Sequence, residues 1–143
     1  MERIETVWAS DALGRESRMV QWGWYGKPVL LFPTSNGGPE ELESFGLIDA
    51  LAPLIEAGRV KAYAIGCSEA SVWMDRQGDG PEKSAALAAF DAYITSEVVP
   101  RIRKDCEDPE MRLATAGANI GAFNAVNTAS KHPDCFDIAI GMS

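Results

Sequence analysis

Two strand-like runs open the chain, Glu2–Ser10 and Arg18–Tyr25, joined by a polar link, Asp11–Ser17, that contains Gly14. The second run is rich in aromatic and β-branched residues, which fit a pleated surface, so residues 1–25 read as an antiparallel hairpin. Period two puts Trp22 and Trp24 on one face, where packing explains them better than binding. From Val29 the pattern changes. Val29-Leu30-Leu31-Phe32 is apolar without a break, which suits a strand covered on both faces, and it stops at Pro33-Thr34-Ser35-Asn36-Gly37-Gly38-Pro39. Leu42, Phe45, Ile48, Leu51 and Ile55 then recur at helical spacing. Pro53 is expected to kink or divide that helix, and Gly58 to stop it.

Val60–Ile65 reads as the next strand, followed by a polar, glycine-containing loop to Gly80. Pro81 opens a helix to about Asp105, with Leu87, Phe90, Ile94, Val98 and Ile102 on one side and a bend expected at Pro100. Arg112–Gly117 is a strand, Ile120–Lys131 a helix and Phe136–Met142 a last apolar strand. Strand and helix thus alternate three times and close on a strand. That order predicts one α/β domain over residues 1–143, with a predominantly parallel sheet, right-handed crossovers and flanking helices.

Composition narrows the partners. The net charge is −8 and no Lys/Arg cluster stands out, which argues against a nucleic-acid or anionic-membrane surface. The N-terminus lacks an apolar leader and no run approaches membrane-spanning length, so a cytoplasmic protein is expected. Cys67, Cys106 and Cys135 follow no metal-binding spacing and read as free thiols; no metal or other cofactor is expected.

The stretch with chemical character is Arg112–Asn127, in which Gly117 and Gly121 bracket Asn119 as G-x-N-x-G between a strand and a helix. With serine at 119 this would be a nucleophile elbow. Such an elbow projects its central side chain above the sheet, and it needs small residues two before and two after because strand and helix approach closely. Asparagine tolerates positive φ better than most residues. The same pattern is also compatible with tight strand–helix packing alone.

Three further stretches occur in order at suitable spacing: Leu31–Gly38, Lys131-His132-Pro133-Asp134 with Phe136, and Ile140-Gly141-Met142-Ser143. Together with Gly117–Gly121 they resemble the esterase branch of the α/β-hydrolase superfamily, related to S-formylglutathione hydrolase and feruloyl esterases. The resemblance runs from about Val29 to the last residue. It implies an α/β-hydrolase-like fold, a small ester or acyl ligand, and an oxyanion hole. That hole would draw on the loop Thr34, Ser35, Asn36, Gly37 and on the amide of Ile120. Two departures follow. The family nucleophile is replaced by Asn119, whose amide cannot accept an acyl group. The family also continues beyond a segment like Ile140–Ser143, so its C-terminal strands, its helices and its triad acid and histidine are expected to be missing.

The histidine count makes the same point independently. His132 is the only histidine, 13 residues past Asn119 across a helix, about 20 Å away at ~1.5 Å per residue. It reads as a helix C-terminal residue. Other candidates are weaker. Cys67 would need a base. Asp75–Gly80 lacks the glutamate of a calcium loop. Glu40, Glu41 and Glu43 are explained by the helix dipole. Trp73 and Met74 could line a pocket or cover the core. Finally, strand 136–142 would leave an apolar edge unpaired. Its cover is expected to be a homo-oligomer or a complementary C-terminal chain. Two functions remain: a carboxylic-ester hydrolase scaffold inactive as written, or a non-catalytic binding or assembly module on the same fold.

Overall fold

A computed structural model describes residues 1–34, 37–66 and 80–142. Strands β1 (Arg3–Ser10) and β2 (Arg15–Trp22) form the opening hairpin, in register from Arg3↔Trp22 to Ser10↔Arg15. Pairing with β1 draws polar Arg15–Ser17 into β2, earlier than the apolar run alone suggests. The strand ends at Trp22 because Gly23, at φ 108°, turns the chain away. Trp22 and Trp24 therefore do not share a face: the first is 2% exposed, the second 64%. Trp24 lies over Gly58 and donates its indole N–H to the Glu56 carbonyl at 3.2 Å.

Strands β3 (Lys27–Phe32), β4 (Val60–Ile65), β5 (Leu113–Ala118) and β6 (Phe136–Met142) are parallel. The described residues form a six-stranded sheet in the order β1-β2-β4-β3-β5-β6, with β1 and β6 at its edges. Between β3 and β4 stand α1 (Pro39–Ser44) and α2 (Leu47–Glu56). The division falls at Gly46, φ 81°, and Pro53 sits inside α2. Pro53 and Asp49, whose carbonyl loses the proline's hydrogen bond, are both exposed, so water can replace that bond. At the other end of α2, Gly58 (φ 72°) donates to the Ile55 carbonyl and Arg59 to that of Leu54, a Schellman stop.

Helix α3 (Gly80–Tyr93) continues through a π-helical turn, Ile94–Val98, into α4 (Val99–Asp105). The turn precedes Pro100, which has no N–H and would crowd a carbonyl four residues back. Helix α5 (Ile120–Lys131) joins β5 to β6. Side-chain alternation splits the core. Leu31, Val20, Trp22 and Ile55 pack on the α1–α2 side; Leu30, Phe32, Tyr63, Phe90 and Ile102 pack on the α3–α5 side. No helix among the described residues is long and apolar enough to cross a membrane.

Candidate functional site

The turn between β5 and α5 is closed by Asn119, whose φ of 56° and ψ of −121° lie outside the allowed regions for most L-residues. Holding such a conformation costs on the order of 1–3 kcal/mol and requires support from its surroundings. That support is visible. The Asn119 N–H donates to the Met142 carbonyl at 3.0 Å, and its own carbonyl accepts from Ala122 (3.0 Å) and Phe123 (3.3 Å). A Cβ on Gly117 would stand 2.3 Å from the Gly121 carbonyl oxygen, and one on Gly121 would stand 2.4 Å from that of Phe32. Only glycine lets β5, the first turn of α5 and the end of β3 approach this closely. The side chain of Asn119 is exposed at the C-terminal end of the strands. Ile120 opens α5, so its N–H has no acceptor within the helix and lies at the positive end of the helix dipole.

The loop after β3 is tied differently. The Thr34 N–H and hydroxyl both donate to the Glu41 carboxylate, each at 2.5 Å. The Gly37 N–H donates to the Thr34 carbonyl at 2.9 Å. Two of the four loop amides expected to face an oxyanion are thus already engaged, Thr34 by α1 and Gly37 within the loop; Ser35 and Asn36 lie outside the described residues. A Cβ on Gly37 would fall 2.6 Å from the Glu41 carboxyl carbon, so glycine there makes room for the carboxylate. The three glutamates of α1 do more than complement its dipole. Glu41 holds this loop, Glu43 accepts three hydrogen bonds from Arg3 Nε and Nη2, and Glu40 pairs with Arg18. Asn124, on α5 one turn after Gly121, is 2% exposed and leaves its Nδ2 without a partner among the described residues.

His132 caps the far end of α5 and bonds Asp91 of α3 through Nε2 at 2.8 Å. The length of α5 separates it from Asn119. Cys67, Trp73, Met74 and most of the Asp75–Gly80 stretch lie outside the described residues. Among the described residues, no group of three or more His, Cys, Asp or Glu side chains could hold a metal ion.

Two polar clusters were not foreseen. Glu97, in the π turn, accepts from the Trp8 indole (2.7 Å), the Ser10 hydroxyl (3.0 Å) and the Ala12 N–H (2.9 Å). Desolvation pushes its pKa up, but these three bonds and Arg101 outweigh it and hold the carboxyl below the ordinary range. At the N-terminal end of the parallel strands, Asp105 accepts from Lys61, Tyr63 and Gln21. Desolvation again opposes, yet the Lys61 and Tyr63 bonds leave Asp105 low, while burial first and then Asp105 push the Tyr63 phenol up. The one sequence signal for this cluster was Lys61, a charge inside an otherwise apolar strand.

No family model and no curated protein matches the chain. Solved structures do. MPT51 of Mycobacterium tuberculosis matches at 20% identity with a TM-score of 0.73, over 99% of this chain and 50% of that one. An S-formylglutathione hydrolase from Agrobacterium tumefaciens matches at 12% with a TM-score of 0.72, over 96% and 56%. A ferulic acid esterase from the anaerobic fungus Anaeromyces mucronatus matches at 11% with a TM-score of 0.70, over 96% and 57%. At these identities the likeness is one of fold: the chain has the α/β-hydrolase-like architecture of esterases. It spans about half the length of the structures it matches.

Proposed function

We propose that residues 1–143 form the elbow-bearing part of a carboxylic-ester hydrolase scaffold and do not hydrolyse esters on their own. The observation that carries this reading is the side chain at 119. The backbone there has the strained, glycine-flanked geometry that lifts a nucleophile above a sheet. The group it lifts is a carboxamide, whose nitrogen lone pair is delocalised and which has no hydroxyl to accept an acyl group. The described histidine is held at the other end of α5 by Asp91 and cannot act as base at 119.

On this reading an ester carbonyl would rest above the start of α5, with the Ile120 N–H as one oxyanion donor and the loop Thr34–Gly37 supplying another. Thr34 could contribute only if Glu41 released its amide. The triad acid and histidine would come from a polypeptide lying along β6. The second reading, a binding or assembly module, is favoured by one observation: the apolar face of β6 is bare.

Asn119→Ser, with and without a complementary segment, separates the two. Hydrolysis of p-nitrophenyl acetate and labelling by a fluorophosphonate are expected only when both changes are present. A folded, assembled product with serine at 119 and no turnover would favour the module. Turnover by the Asn119 protein alone would overturn the proposal.

A further inference from the structure

The elbow lies at the C-terminal end of the parallel strands. At their N-terminal end is a cavity of about 830 Å³, a size that holds small ligands. One wall is the β2–β3 turn, which presents Trp24 and Tyr25. They are 64% and 69% exposed, with ring centroids 5.8 Å apart and planes at 33°. Glycines 23 and 26, at φ 108° and 115°, fix that turn; a Cβ on Gly26 would fall 2.4 Å from the Arg59 backbone. Trp24 is pinned by its bond to the Glu56 carbonyl, so the aromatic wall is held in place before any ligand arrives.

The lining also includes Asp105 at the end of α4 and Glu107 and Asp108 just after it. The charges lining the cavity do not cancel. Lys61 is matched by Asp105, and Lys27 by Asp137 at 2.7 Å. Among the described residues Glu107 and Asp108 have no matching cation, although one Asp108 carboxylate oxygen accepts the Glu110 N–H at 2.9 Å. Glu107 also occupies a position that glycine would fill with less strain. It has φ 55° and closes a Schellman stop in which its own N–H donates to the Lys104 carbonyl and that of Asp108 to the Arg103 carbonyl.

Exposed aromatic rings and surplus carboxylates lining one cavity, on a protein of net charge −8, favour one ligand chemistry: positive charge on an apolar body. We propose that this cavity binds an organic cation of the substituted-ammonium type, with Trp24 and Tyr25 against its alkyl groups and Glu107 and Asp108 balancing its charge. Anions are disfavoured because each lysine lining the cavity has its carboxylate. The site is independent of the elbow and does not rest on the hydrolase reading.

The test is a two-dimensional NMR titration of the whole chain with choline and with its neutral isostere 3,3-dimethyl-1-butanol. Choline is expected to shift the Trp24 indole N–H and the Tyr25, Glu107 and Asp108 amides saturably, binding at least about 10-fold more tightly than the isostere. Glu107→Gln with Asp108→Asn should weaken choline about 10-fold and leave the isostere unchanged. Trp24→Leu should abolish the shifts; because Trp24 also packs on Gly58, Tyr25→Ala serves as the variant that does not disturb the fold. Equal binding of choline and the isostere, no saturable shift, or a carboxylate variant that binds as well as the parent would each overturn the proposal.

Discussion

The two edges of the sheet are finished in opposite ways. β1 carries Arg3 and Glu5, which pair with Glu43 and Arg18, and its far end is clamped to the helix layer through Trp8 and Glu97. β6 carries one charge, Asp137. Its register with β5 places Ile138, Ile140 and Met142 on the same face as Ala114 and Ala116. That is the α1–α2 side of the sheet, yet the three are 47%, 49% and 41% exposed. Charges and cross-layer bonds make β1 a poor template for another strand, whereas β6 offers unpaired backbone and an apolar stripe. An edge strand that is safe in water shows it in its side chains, and β6 does not.

Breaking the clamp at the β1 edge should have the largest effect. Glu97→Ala orphans three donors, and a loss of about 3 kcal/mol in urea unfolding at neutral pH is expected. A loss below about 1 kcal/mol would mean that the clamp contributes little beyond packing. The same carboxylate gives the β1 edge a pH signature. Its folded pKa is depressed, so its contribution is fully present above the unfolded value of about 4.3 and is lost as pH falls through the folded one. Stability should therefore drop on acidification below about pH 4.3, and Glu97→Gln should flatten that part of the curve. An unchanged slope would remove Glu97 from the account.

The β6 edge should respond in association rather than stability. Ile140→Lys is expected to change unfolding free energy by no more than about 0.5 kcal/mol while reducing concentration-dependent self-association in sedimentation velocity. A parent protein that stays monomeric at high concentration would contradict the contrast between the edges. Smallest of all is Gly141→Ala. The added methyl would meet Ala122 and Val126 side chains at 3.4 Å, and an unpaired edge strand can give by that amount. A shift within about 0.5 kcal/mol is expected by urea unfolding.

The parallel part of the fold was legible because its signals are local. The bounds of α5 and β6 follow from Gly117–Gly121, the Lys131-His132-Pro133 stop and a mostly apolar run interrupted only by Asp137. Other features depended on what lay across space. Pro53 is tolerated because its side of α2 faces water, so the helix divides at Gly46 instead. Trp24 leaves its expected face because Gly23 turns the chain toward α2. Glu41 looks like any helix-start glutamate until the Thr34 loop is folded against it. At the elbow, the glycine spacing announced the close approach of three elements, but the engagement of the Thr34 and Gly37 amides could not be read from types and spacing.

The π-helical turn works as a gear. It accommodates one extra residue in the long helix, and each residue in a helix is worth about 100° of rotation. Upstream of it, α3 meets His132 through Asp91; within it, Glu97 faces the hairpin; downstream, Asp105 reaches Lys61 and Tyr63. Were Ile94–Val98 to run as regular α-helix with every residue kept, the segment after it would turn by about that angle. The hairpin clamp and the Asp105 cluster could then no longer both be met. The phase of a single helix thus couples one edge of the sheet to the far end of its strands.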